Sequence, residues 1–120
     1  MGKRSRRRDA APKLEAPTAE YRDEAGGAVL TLRCVLTPKT RTQYAEVLHG
    51  NVLSQEDAWH RAVEFLFERL AVRWEISGVA TEGQKDLLLR LRAATTDERT
   101  FVRGALREHC AEWFPDVEAP

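Results

Sequence analysis

Between residues 28 and 36 the chain reads AVLTLRCVL, and apolar side chains recur at every second position. Leu30, Leu32, Cys34 and Leu36 share one side, and Val29, Thr31, Arg33 and Val35 the other, which is the period of a β-strand. A lone strand is unstable, so a partner is required. Residues 17–24, the C-terminal segment or a second copy of the chain could supply it. An extended segment lying against helices is the alternative.

From residue 37 the period lengthens. Thr37 suits an N-cap, Pro38 a first helical position and Gly50 a stop, which predicts a helix over 38–49 with Tyr44, Val47 and Leu48 inward. SQEDAWHRAVEFLFERLAVRWEISG then predicts one long helix. Ser54 and Asp57 stand at capping-box spacing, and Gly78 supplies the stop. Trp59, Ala62, Val63, Leu66, Phe67, Leu70 and Trp74 form one apolar stripe, and Ala58, Phe65, Val72 and Ile76 a second. So wide an apolar arc, on a helix roughly 33–35 Å long, marks a central element touching several others. Thr81 and Gln84 are spaced to cap a third helix, whose inner face is Leu87, Leu88 and Leu91. Thr95 and Glu98 are spaced to cap a fourth, with Phe101, Val102, Ala105, Leu106, His109 and Trp113 along its apolar stripe and Pro115 at its end.

Together these patterns predict a mainly α fold: a small helical domain of about four helices over 28–120, with one short N-terminal β-strand. Residues 1–27 are rich in charge, Ala, Pro and Gly, and read as a disordered basic tail. With 120 residues the chain can bury a core without disulfides or metal. Net charge is zero, but residues 1–27 hold seven bases against five acids, and the rest twelve against fourteen. The folded part is therefore not a basic nucleic-acid binder as a whole. No run reaches the length of a membrane helix, no apolar stretch follows the basic start, and the cytoplasm is the expected compartment.

Arg69 and Arg73 fall one helical turn apart inside the apolar arc of the long helix. A guanidinium buried alone is too costly, so each must reach water, pair with a carboxylate or meet an anionic partner. Glu98, Glu108 and Glu112 are candidate acids. Arg99, Arg103 and Arg107 recur every four residues and make a strip that could grip carboxylates or phosphates. Lys3, Arg4, Arg6, Arg7 and Arg8 could attract nucleic acid or an acidic protein surface, although no aromatic residue stands among them to stack on bases. Gln84, Lys85 and Asp86 make a poor base-reading start for a helix-turn-helix. His60 is flanked by Glu56 and Glu64, His109 reads as a core histidine, and Cys34 and Cys110 lack metal spacing. Neighbouring helical residues such as His109 and Cys110 point about 100° apart, so they form no nucleophile–base pair. No enzyme motif, metal site or cofactor site is expected.

The stretch FERLAVRWEISGVATEGQKDLLLRLRAATTDERTFVRGALREHCAEWFP, residues 67–115, resembles small proteins of high-GC Gram-positive bacteria for which no activity is known. The order of parts, LTLRCVLTP followed by helices including one that ends near Trp74, is also similar to phage tail-assembly chaperones. That resemblance implies a non-enzymatic protein that binds an elongated protein partner. It covers residues 30–114 as a pattern, without a specific motif and without the basic tail. The expected function is non-catalytic interaction, by self-association or with a protein partner, through the apolar helical face. The alternative is a nucleic-acid accessory protein using the tail and the arginine strip.

Overall fold

The computed structural model describes residues 17–50 and 54–120. The fold is α+β, not mainly α. In chain order the elements are β1 (Thr18–Arg22), β2 (Val29–Arg33), α1 (Pro38–His49), α2 (Gln55–Leu70), β3 (Ala71–Ile76), β4 (Val79–Glu82), α3 (Gln84–Arg92) and α4 (Thr96–Trp113). The four strands form one antiparallel sheet in the order β1-β2-β3-β4.

The expected long helix is two elements. Its helical part ends at Leu70, and Ala71 turns to φ −68°, ψ 130°, so the chain enters β3 with no linker. Gly78 is no helix stop. Ser77 (φ 52°) and Gly78 (φ 80°) make the two-residue turn between Ile76 and Val79, which pair directly. Positive φ at both positions is what a tight hairpin matching the strand twist requires, and glycine adopts it without a side-chain clash. β3 also carries a bulge. Thr31 faces Arg73 while Leu32 faces Ala71, leaving Val72 as the extra residue.

β1 corrects a second expectation, because Thr18–Arg22 lies inside the segment read as a tail. It pairs along its whole length with β2, from Thr18 opposite Arg33 to Arg22 opposite Val29. The tail expectation for residues 1–16 lies outside the described residues.

The sheet has one buried and one open face. Leu30, Leu32, Ala71 and Trp74 point into the core with Leu66, Phe67, Leu70, Leu87, Leu91, Val102 and Leu106 from the helices. The registers place Glu20, Thr31, Arg73 and Glu82 in one cross-strand row on the other face, and Arg22, Val29, Glu75 and Ala80 in the next. None of these joins the core. Trp74 is fully buried, edge-on to Phe67 at 5.6 Å, and its indole N–H has no acceptor among the described residues. α2 touches α1, α3, α4 and β3, so it is central, although shorter than expected.

The helix starts follow from local chemistry. The Thr37 hydroxyl accepts from the Thr40 amide with Pro38 leading α1, and the Ser54 hydroxyl accepts from the Asp57 amide. Thr95 and Glu98 form a reciprocal capping box at α4. α3 departs from expectation. Thr81 belongs to β4, and Gly83 at φ 91° precedes the helix with no side-chain cap.

Candidate functional site

Arg69 and Arg73 are not one turn apart on a helix, because the helix has ended between them. Arg69 sits in the last turn of α2, where its guanidinium lies 4.5 Å from the Phe65 ring centroid and donates to Glu68 at 2.9 Å. Arg73 is on the open face of β3, donates to Glu75 at 3.0 Å and stands 3.7 Å from Glu82. Trp74 takes the inward position beside it. The acids that meet these arginines are Glu68, Glu75 and Glu82, not Glu98, Glu108 or Glu112. Both cations remain partly wet, so each ion pair contributes at most about 1 kcal/mol.

Arg99, Arg103 and Arg107 share α4 but do different work. Arg99 closes the end of α3, donating Nη2 to the Arg92 carbonyl at 2.8 Å and Nε to the Ala94 carbonyl at 3.3 Å. Arg107 donates to the Pro120 carbonyl at 2.8 Å. Arg103 lies over the indole of Trp59 from α2, 4.8 Å from the ring centroid, and has no carboxylate partner among the described residues. Lys3, Arg4, Arg6, Arg7 and Arg8 lie outside the described residues.

Two of the three strip arginines meet at one place. A groove of about 490 Å³ between α2 and α4, reaching the end of α3, is lined by Trp59, Val63, Leu91, Thr96, Thr100, Arg99 and Arg103, with Glu56, His60 and Glu64 also on its wall. Its size falls in the range of ligand and peptide clefts. Arg69, Arg73 and Arg107 do not line it. The acids on its wall are engaged. Glu64 accepts from Arg92 at 3.1 Å, and Glu56 lies 3.3 Å from His60. In the sequence Trp59 stands on the apolar stripe of the expected long helix. Its partner Arg103 is 44 residues away on another element, and no local pattern joins the two.

The buried polar groups have structural roles. His109 is fully buried, and its Nε2 lies 2.7 Å from the Arg33 carbonyl. A carbonyl only accepts, so Nε2 carries the proton and Nδ1 accepts from the Tyr21 hydroxyl at 2.7 Å. The ring thus bolts α4 to β1 and the end of β2. Burial lowers the His109 pKa from 6.5, keeping the ring neutral. Burial also pushes Tyr21 up to about 12, with Glu112 and Glu108 adding to the effect, and pushes the Cys110 thiol up to about 11. A thiol held protonated is a poor nucleophile. Among the described residues no three His, Cys, Asp or Glu side chains gather as a metal site, and no helix is long and apolar enough to cross a membrane.

No protein-family model, no curated protein and no solved structure matches this chain.

Proposed function

We propose that this chain is a non-catalytic protein-interaction module that receives a protein partner, or a second copy of itself, along the groove between α2 and α4. The observation that carries this reading is the Trp59–Arg103 contact on the wall of a groove that also presents Val63. Tryptophan and arginine dominate binding energy at protein interfaces, because each combines broad contact area with directed hydrogen bonds. The groove supplies what the expected apolar helical face was to supply, in narrower form. Much of the wide apolar arc of α2 is spent on the sheet and the other helices. Buried free thiols at Cys34 and Cys110 fit a reducing compartment, and we place the protein in the cytoplasm.

The nucleic-acid alternative has less behind it. Arg99 and Arg107 are committed to backbone carbonyls, and the groove bears Glu56 and Glu64 beside Arg99 and Arg103.

The test is photo-crosslinking of full-length protein in the cells that make it, with a benzophenone side chain at Val63 in the groove or at Glu20 on the open sheet face. Discrete adducts at residue 63 and none at residue 20 are expected, and adduct mass separates a second copy from another polypeptide. Equal labelling at both positions, or none at residue 63, would refute the groove as the interface.

A further inference from the structure

Resting on that reading, we infer that the groove is a receptor for an acidic side chain, with Arg103 as the clamp for its carboxylate and the apolar neighbours of that side chain seated on Trp59 and Val63. The Arg103 guanidinium carbon lies over the Trp59 ring, 4.8 Å from its centroid, and no acceptor among the described residues takes its N–H donors. Those donors lie in one plane, in a fork whose edge a ligand can meet. A carboxylate presents two oxygens in one plane at the matching spacing and takes such an edge with two parallel hydrogen bonds. Contact with the Trp59 ring also restricts the arginine before anything binds, which removes part of the rotamer entropy that binding would cost.

Arg99 reinforces the choice of an anion. It lies one helical turn before Arg103 on α4, and its bonds to the Arg92 and Ala94 carbonyls hold its positive charge at the groove wall. The acids on the wall choose among anions. Glu56 and Glu64 flank the same space, so a phosphate dianion would meet two like charges. A single carboxylate carries half the charge of a phosphate dianion and can take the Arg103 donors with the Arg99 charge one turn away. Trp59 and Val63 offer apolar contact that a phosphate ester would leave unused. The ligand chemistry is therefore Glu or Asp between apolar residues of a protein segment.

The experiment uses full-length protein labelled with ¹⁵N, with the Trp59 indole signal identified by Trp59→Phe and the Arg103 Nε–H signal by Arg103→Lys. Two capped peptides are titrated, Ac-Ala-Leu-Glu-Leu-Ala-NH₂ and its Gln twin. The Glu peptide is expected to shift both signals saturably and to bind at least tenfold tighter than the Gln twin. Arg103→Lys keeps the charge but loses the planar fork, and it should weaken the Glu peptide about tenfold. Arg107→Lys, outside the groove, should leave it unchanged. Equal binding of the twins, no movement of the Trp59 signal up to 10 mM peptide, or tighter binding of inorganic phosphate than of acetate would each overturn the inference. The two readings fail separately. Adducts at residue 63 with indifferent twins would keep the interface and lose the clamp, whereas Glu-selective binding without adducts would keep the clamp and lose the interface.

Discussion

Acid should loosen this protein before Glu98 and Asp116 begin to lose their ion pairs, and His109 is the reason. The ring is fully buried, its Nε2–H is given to the Arg33 carbonyl, and its Nδ1 accepts from Tyr21. A second proton on Nδ1 would place a charge on a ring that burial strips of solvation, and the Tyr21 hydroxyl would have to give up its donation to Nδ1. Burial accordingly lowers the folded-state pKa below 6.5, while the unfolded chain keeps a value near 6.5. The unfolded state therefore binds the proton first. Stability is at full strength above pH 6.5 and falls as the pH drops toward the lowered folded value. One group can contribute a slope no steeper than about 1.4 kcal/mol per pH unit. In a domain of this size, that corresponds to roughly 4–8 °C in Tm per pH unit. Glu98 and Asp116 have pKa values lowered from 4.5 and 3.8, so their own losses fall below the pH 6.5–5.5 window. The assay is thermal unfolding by circular dichroism at pH 7.5, 6.5 and 5.5, for wild type and for His109→Gln, which can keep hydrogen bonds but cannot titrate. Wild type should lose Tm across the last step and the variant should not. A wild-type Tm flat from 6.5 to 5.5, or a variant as steep as wild type, would refute the argument. The same cluster sets the alkaline limit. Tyr21 is raised to about 12 and Cys110 to about 11, so stability should fall again as the pH rises above 9, where the unfolded thiol ionises first.

Three further outcomes follow from the fold. Trp74→Ala should cost about 3–5 kcal/mol and Arg73→Ala about 1 kcal/mol or less by denaturant unfolding, because adjacent positions on β3 face core and solvent; similar costs would return both residues to a helix. Gly78→Val should destabilise by about 1–3 kcal/mol at φ 80°, while Ser77→Gly at φ 52° should be neutral or stabilising in the same measurement. Thr95→Ala should cost about 0.5–2 kcal/mol through the lost α4 cap, and an unchanged midpoint would show that the capping box contributes nothing.

The capping chemistry was legible in the sequence. Thr37 with Pro38, Ser54 with Asp57 and Thr95 with Glu98 marked three helix starts that the structure has, because each cap is a contact within four residues. The strand around Leu30 and Leu32 was legible too, and residues 17–24 stood among its candidate partners. β3 was not, and its bulge explains why. With Val72 looped out of register, Ala71 and Trp74 both face the core although they stand three positions apart, which is the i, i+3 spacing of a helix. The seamless passage from Leu70 to Ala71 leaves no polar break to mark the change. Ser-Gly between Ile76 and Val79 was the available sign, and as a dipeptide it suits a helix stop and a hairpin turn alike. The groove was illegible for a different reason. Trp59 and Arg103 meet only because α2 and α4 pack side by side, and that contact is a property of the tertiary arrangement.

The junction at Leu70–Ala71 has a consequence for how this chain tolerates changes of length. α2 and β3 share one continuous backbone whose phase is fixed at both ends, by Leu66, Phe67 and Leu70 on one side and Trp74 on the other. Adding a residue in that span would rotate everything before it by about 100° or turn the following strand over, bringing Arg73 inward and Trp74 outward. The turn over residues 23–27, exposed apart from a half-buried Asp23, carries no such constraint. An epitope tag or a reporter loop therefore belongs between β1 and β2, and a library of random insertions should recover folded molecules there while leaving residues 66–74 empty.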